Sequence, residues 1–296
     1  MNPRVTVVVP TLNRRDTLER VLPSLAAQTI RPGAFEILLC DSGSDDGTSD
    51  LVERLALPNL RVVRSDGCSR AGARNLGIRC AAAPLVLFND ADIIAGPELV
   101  ERHVEAHARR PASAIVGCEV RVDSLDEYEA VRAGRRPQRT LHPAWKHRLS
   151  WYFFLTGNAS AARDALVGAG MFDERFTTYG HEDLDLGYRL QQTGLRIRYE
   201  ATAVSYHWHP ETLESRLEKM ASSGRATIRL YRKYRDARIL WRMGVNPVAW
   251  RLHSLFGGQR AQARWRRRAQ TSRAALGIAL QLAYLSGAKE EWKARS

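Results

Sequence analysis

The first hundred residues alternate between two hydrophobic periods. Short apolar runs recur at Arg4–Val9 (RVTVVV), Phe35–Cys40 (FEILLC), Leu60–Arg64 (LRVVR) and Leu85–Phe88 (LVLF), and each reads as a β-strand. Between the first two, Leu18, Val21, Leu22 and Leu25 fall at i, i+3, i+4 and i+7, the spacing of one helical face. A second helix is predicted around Leu51–Leu55 and a third through SRAGARNLGIRCAA. Continuous apolar strands joined by helices imply a parallel sheet covered on both faces. Ligands of such sheets bind outside the carboxyl ends of the strands. Three polar clusters sit at those ends: Pro10-Thr11-Asn13, Asp41-Ser42 and Asp90-Ala91-Asp92. They are expected to converge on one crevice.

The pattern then loosens. Residues 123–150 are rich in Arg, Glu and Pro and lack a clear period, so they read as a long loop or a broken helical excursion. WYFFLTGNAS (Trp151–Ser160) returns as a strand and turn. GHEDLDLGYRLQQTG opens a helix that Gly194 ends, and LRIRYE (Leu195–Glu200) is strand-like. In SYHWHP, His207 and His209 alternate and therefore point to one face. From about Leu213 the composition is helical and strongly basic.

Composition changes this picture mainly at the tail. With 296 residues, 44% of them hydrophobic and 26% charged, the chain reads as an ordinary globular protein. Its net charge of +13 suggests nucleic acid until it is located. Residues Arg216–Ser296 carry 19 Lys and Arg against 4 Asp and Glu, a net of +15, and leave the first 215 residues at −2. The near-neutral body and the basic appendage need separate explanations. Within the tail, Ala274–Ala288 is apolar but spans only 15 residues with Gln281 inside it, against ~20 needed to cross a bilayer. Arginines beside Trp241, Trp250, Trp265 and Trp292 suit helices lying on an anionic membrane surface; the alternative is helices packed on the body, with the arginines as a solvated face. Cys40, Cys68, Cys80 and Cys118 show no C-x-x-C spacing and predict reduced thiols in a cytoplasmic protein. No hydrophobic leader precedes the first strand.

Several acidic and basic residues admit two readings. Asp90 and Asp92 can be turn residues at a strand end, or oxygen ligands for Mg²⁺ or Mn²⁺ shared with substrate phosphates. The later acids of DSGSDDGT suit a helix N-cap, whereas Asp41 at the strand tip can accept an N–H from a nucleobase. Arg74 in GARNLG can meet a base or phosphate in fork geometry. Glu182, Asp183 and Asp185 suit a helix N-terminus, each stabilised by ~0.3–1 kcal/mol; a carboxylate there can also act as a general base. An imidazole at His207 or His209 suits Mn²⁺ better than Mg²⁺.

Taken in order, VVVPTLNR, CDSGSDDGT, AGARNLGI, FNDADI, TGNAS, FDERF and YGHEDLDLGYRL give the sequence from Val5 to about Pro210 a resemblance to the family 2 glycosyltransferases. These are inverting enzymes of the GT-A fold that use nucleotide-sugar donors. The resemblance implies an α/β fold with a Rossmann-like, mainly parallel sheet flanked by helices and a basic helical C-terminal extension. It implies a catalytic domain over 1–212, with a nucleotide-binding half (1–110) and an acceptor half (111–212), followed by 213–296. Pro10, Thr11, Asn13, Asp41, Arg74, Asn75 and Asp90 correspond to donor-binding positions. Asp90, Asp92 and His207 correspond to metal ligands, with Asp92 the direct ligand of the Asp pair. Asp183 matches the catalytic base and Glu182 its neighbour; Gly157, Asn158 and His209 fall on the acceptor side. Ser42 departs from a pattern that often has a second Asp, which bears on the donor's base. The implied reaction is metal-assisted displacement on a nucleotide-diphosphate sugar, UDP-sugar favoured, by a saccharide, lipid-linked or other hydroxyl acceptor.

A nucleotidyltransferase of related fold is the first alternative, but PTLNRRD lacks the glycines of a phosphate loop. A dinucleotide-binding dehydrogenase fails likewise, since no G-x-G-x-x-G follows the first strand. A nucleic-acid binder using the basic tail is the second alternative, and it would show a steep salt dependence on nucleic acid. Nucleic acid is not the expected partner.

Overall fold

Each apolar run of the first hundred residues is a strand in the computed structural model, which describes residues 2–31, 33–138, 140, 148–176, 180–208 and 211–294. β1 (Val5–Thr11), β2 (Phe35–Asp41), β3 (Leu60–Arg64) and β4 (Leu85–Asn89) pair in parallel in the order β3-β2-β1-β4. Val5, Val7, Val8 and Val9 are all fully buried, as expected of a central strand with both faces covered. α1 (Arg15–Ala26) buries Leu18, Val21, Leu22 and Leu25, the four positions of its apolar stripe. α2 (Thr48–Leu55) follows β2, and α3 (Arg70–Cys80) follows β3. Ser69 starts α3 by accepting the N–H of Gly72 at 3.1 Å, which satisfies one of the helix's orphan donors.

Past β4 the sheet changes direction. The elements are β5 (Ile93–Ala95), α4 (Leu99–Arg109), β6 (Ser113–Val122), α5 (Leu125–Arg132), β7 (Arg148–Leu149), β8 (Asn158–Ala162), α6 (Arg163–Gly168), α7 (Glu182–Gln192) and β9 (Arg196–Trp208). β8 lies antiparallel to both β4 and β6, and β6 runs parallel to β9. β5 and β7 pair antiparallel with β9, so the order is β3-β2-β1-β4-β8-β6-β9-β5, with β7 also on β9.

Two expectations need correction in this half. The strand placed over Trp151–Ser160 starts only at Asn158; Trp151–Phe153 is a single 3-10 turn. Its aromatics favour a strand locally, but the Trp151 ring packs edge-on against Tyr188 at 5.5 Å, and that tertiary contact overrides propensity. RIRYE and SYHW lie in one 13-residue strand, β9, whose pairing with β6 shifts register between Gly117 and Cys118. Of the excursion over 123–150, the described part contains α5, started by Ser124 accepting the Glu127 N–H while Glu127 accepts that of Asp123; residues 141–147 lie outside the described residues.

The chain divides into two compact units, Met1–Thr177 with Glu182–Pro210 and Thr178–His181 with Glu211–Ser296. The second contains α8 (Leu213–Tyr234), α9 (Ala237–Arg242), α10 (Pro247–Phe256), α11 (Gln259–Ala269) and α12 (Arg273–Lys293). α8 and α12 cross closely at Gly224 and Gly287. A Cβ on Gly224 would overlap the carbonyl of Tyr284, and one on Gly287 that of Ala221. One face of the apolar run Ala274–Ala288 is therefore core: Ala279, Ala283, Leu285 and Ala288 are buried with Leu217 and Ile228. Among the described residues no helix is long and apolar enough to cross a membrane. All four cysteines are unpaired, and burial pushes the Cys40 thiol up to about 12.

Candidate active site

The turn after β4 is built by Asn89. Its side chain is fully buried, and its Nδ2 donates to the carbonyls of Asp90 (3.0 Å) and Ile93 (2.9 Å). That fixes Asp90 and Asp92 on a tight bend that leads straight into β5. The antiparallel pairing of β5 with β9 places Ile93 opposite His207, and Trp208 donates its N–H to the Asp92 carbonyl at 3.0 Å. The pairing thus brings two groups 115 positions apart into one place: His207 Nε2 lies 3.6 Å from Asp92 Oδ1.

Glu119 completes this arrangement. It sits on β6, only 7% exposed, with Oε1 2.9 Å from His207 Nδ1. A ring whose Nδ1–H is held by a carboxylate presents Nε2 outward, the orientation in which second-shell carboxylates hold metal-binding histidines. Burial works against a charged ring, but Asp92 and Glu119 together raise the His207 pKa to about 10. Gly157 leaves room for Glu119, because a Cβ there would come within 2.7 Å of Glu119 Oε2.

A second cluster lies around Arg74, whose side chain is buried. Nη2 donates to Asp90 Oδ1 at 2.6 Å and Nη1 to Glu182 Oε1 at 3.2 Å. Arg70 Nη1 stands 3.7 Å from the same Glu182 oxygen. A buried guanidinium has to be paired, and here the fork expected to meet the nucleotide is engaged on two carboxylates of the chain. Against the cost of burial, those carboxylates raise the pKa of Arg74, and Arg74 and Arg70 lower that of Glu182. Asp183, next in sequence at the start of α7, goes the opposite way. Burial and the adjacent Glu182 carboxylate push its pKa up to about 7, with the Leu184 N–H donating to Oδ1 at 2.8 Å. Adjacent acids driven apart in this manner divide into a permanently ionised group and a proton acceptor.

The expected nucleotide positions meet at the tips of β1 and β2, where Thr11 pairs with Asp41. Asp41 Oδ1 accepts from Gly43 N (3.2 Å), Ser44 N (2.9 Å) and Ser44 Oγ (2.6 Å). Asn13, at φ +52, accepts the Asp45 N–H and donates its own N–H to Ser44 Oγ, both at 2.9 Å. These bonds lock the two tips together. Pro10 is half-buried beside them, and Thr11 Oγ1 is buried with no hydrogen-bond partner among the described residues. An orphaned buried hydroxyl of this kind calls for a ligand or water.

Other sequence-derived candidates have structural duties. Asn75 bonds the Phe172 backbone through both ends of its amide (2.8 and 2.9 Å) and Glu174 Oε1 at 2.8 Å. Asn158 is 2% exposed, its amide engaged with His103, Ala203 and Ser205. Neither presents a polar edge to an acceptor or donor; the apolar cover around them forces their polar atoms to find partners inside. His209 lies outside the described residues. Sequence reasoning missed Asn89 and Glu119. The one legible signal for Glu119 was a carboxylate in the middle of the apolar run SAIVGCEVRV.

Among the described residues no three His, Cys, Asp or Glu side chains group into a cation cage. What the site provides is a two-ligand edge, Asp92 Oδ1 and His207 Nε2, backed by Glu119. That set fits Mn²⁺ or Mg²⁺, which take one or two protein ligands and complete their shell with water and substrate phosphates.

Comparison with known proteins bears on the family and the fold. Validoxylamine A glucosyltransferase of Streptomyces hygroscopicus subsp. limoneus is 36% identical over 223 residues, 65% of this chain and 49% of that protein. Chondroitin synthase of Escherichia coli is 27% identical over 251 residues, 73% of this chain and 36% of that protein. The chain spans about half the length of the first of these relatives. Its fold is that of GT-A enzymes. The mannosyltransferase PcManGT from Pyrobaculum calidifontis, in complex with GDP-Man and Mn²⁺, superposes with a TM-score of 0.65 at 21% identity, covering 100% of this chain and 89% of that one. S. aureus TarS 1-349 in complex with UDP gives 0.63 at 16% identity, covering 99% and 92%. The model of glycosyl transferase family 2 matches residues 6–166, more than half of the sequence, and the chain belongs to that family.

Proposed function

We propose that the chain is an inverting glycosyltransferase that moves a sugar from a nucleoside-diphosphate sugar to an acceptor hydroxyl, with Asp183 as general base. The observation that carries this is the division of labour between Glu182 and Asp183: one carboxylate locked on Arg74, its neighbour raised to about 7. A base is most effective with a pKa near the working pH. Residues 1–212 form the catalytic part in this reading.

Asp183 takes the proton of the acceptor hydroxyl as its oxygen attacks the anomeric carbon. The bond from that carbon to the diphosphate oxygen breaks on the opposite face, so the configuration inverts. Arg74 holds Asp90 and Glu182 in position, and Asp41 with Thr11 forms the seat for the nucleoside. Asp92 and His207 would hold a divalent cation, whose contribution is to stabilise charge on the departing diphosphate. The GDP-Man and Mn²⁺ of PcManGT and the UDP of TarS support a nucleotide-and-cation site. A UDP-sugar is favoured, and Ser42 makes the base the first property to measure. Relatives named for validoxylamine A and chondroitin favour a saccharide-like acceptor. The basic region 213–296 is read as a peripheral attachment to the anionic cytoplasmic face of a membrane, where a lipid-linked acceptor would be met.

A thermal-shift series with UDP, GDP and their sugars, with and without Mn²⁺ or Mg²⁺, tests the reading. One nucleoside diphosphate should raise Tm only when the cation is present. If none does so with either cation, the donor site is misassigned.

A further inference from the structure

The helical unit treats its arginines in two ways. On α8, Arg225 pairs with Glu218 (2.6 Å) and Glu290 (3.1 Å), Arg229 with Glu291 (3.0 Å), and Arg232 also with Glu291 (3.2 Å). Residues 237–269 contain eight arginines and no acid. Of these, Arg238 pairs with Asp236. The other seven, running from Arg242 to Arg268, are exposed and have no ion-pair partner among the described residues.

The same stretch exposes hydrocarbon. α10 packs Ala249 and Trp250 against the core residues Ile228, Val245 and Tyr284, and His253 Nε2 lies 3.0 Å from Ser286 Oγ. Its opposite side carries Val248, Leu252 and Leu255, at i, i+4 and i+7, exposed by 63%, 52% and 74%. A surface helix should present polar residues on that side. Trp241, 63% exposed, borders the N-terminal end of α10, where with Pro247, Trp250 and Trp292 it lines a cavity of about 420 Å³. α11 packs Trp265 and Ala269, half-buried, against Leu217, Ala279 and Ala283, and carries Arg260, Arg264, Arg266, Arg267 and Arg268 exposed.

We infer that α9–α11 form a bilayer-docking surface, with Val248, Leu252 and Leu255 entering the headgroup–acyl boundary and the unpaired arginines meeting lipid phosphates. The occupant is an anionic phospholipid bilayer. Neutral apolar partners leave seven cations unmatched, and polyanions such as nucleic acid leave the leucines and tryptophans in water. Tryptophan and an apolar helix face flanked by arginine are the combination that lies in a membrane interface. The inference sharpens the membrane attachment proposed above by naming the helix that enters.

The full chain should co-sediment with vesicles of phosphatidylglycerol and phosphatidylcholine at low salt, and not with phosphatidylcholine alone. The double variant Leu252→Glu, Leu255→Glu should lose about tenfold or more of that affinity, with an unchanged circular dichroism spectrum and melt, since both side chains face outward. A milder Leu255→Ser should lose less and serves as a second fold-neutral variant. If wild type binds and both variants bind equally well, membrane attachment stands but the assignment to α10 is overturned. If wild type does not bind either vesicle, both readings fall. If the lipid-free chain dimerises by ultracentrifugation and the double variant is monomeric, the face joins two copies of the chain and the bilayer assignment is overturned.

Discussion

At the residue scale, the site depends on one carboxylate being uncomfortable. Asp183→Asn should retain nucleotide affinity and lose transfer by ~10²–10⁴-fold, measured as kcat against the Kd for the nucleoside diphosphate. Glu182→Gln is predicted to act differently, by weakening donor binding and Tm, because it frees Arg74. The pH profile should separate the two further. Since the Asp183 pKa is raised from its ordinary 3.8 to about 7, kcat/KM should rise with pH through about 7 as the base ionises. The stability contribution of the same group runs the other way: it favours the fold below about 4 and is lost as pH rises through 7. Asp183→Asn should flatten the rising limb. At His207, Glu119→Gln should weaken Mn²⁺ binding ~10–100-fold, read by calorimetry or by electron paramagnetic resonance in the absence of substrate. Asp90, Asp92 and Asp183 were legible from short motifs. Arg74 was expected on a base or phosphate of the donor, and its pairing with Glu182 was not legible, because that partner is 108 positions away. No local spacing encodes such a pairing.

At the scale of elements, periodicity predicts well where strands are continuous and poorly where the sheet turns. The four parallel strands and the stripe of α1 follow from apolar runs and the 3.6 period. α4 and β6 were not anticipated, although β6 carries Glu119. β8 shows why the second half is harder: its pairing is antiparallel to both neighbours, and nothing in NASAA announces which strands it will join. β9 was divided into two expected segments, yet its continuity is what carries His207 to the Asp92 turn. In the helical unit, the α8–α12 crossing makes a stability prediction. Gly224→Ala would ordinarily stabilise a helix by up to ~1 kcal/mol. Here the added methyl meets the backbone of α12, so both Gly224→Ala and Gly224→Leu should lower Tm, the latter by an amount corresponding to ~1–3 kcal/mol or more, followed by helical circular dichroism.

At the scale of the whole molecule, charge is partitioned along the chain: −2 over the first 215 residues and +15 over Arg216–Ser296. Salt should therefore separate two properties of one protein. Raising it from ~0.1 M to ~1 M shortens the screening length from ~10 to ~3 Å. Vesicle binding by exposed arginines should be lost over that range. The pH dependence set by Asp183 should persist, since its causes are burial and the carboxylate of the adjacent Glu182. Vesicle flotation and kcat/KM profiles at the two salt concentrations check this.

α8 and α12 are neighbours in space, but α9, α10 and α11 are threaded between them in sequence. The pair is in effect a clasp whose two halves close by backbone contact at Gly224 and Gly287, with the intervening helices carried as an arm. Closing a loop costs little more when the loop is lengthened, ~0.6 kcal/mol for each doubling. The arm is anchored on the clasp by Val245 and Trp250, so its loops can be lengthened and its exposed face altered while the clasp stays shut, and what that face meets can change without redrawing the sheet.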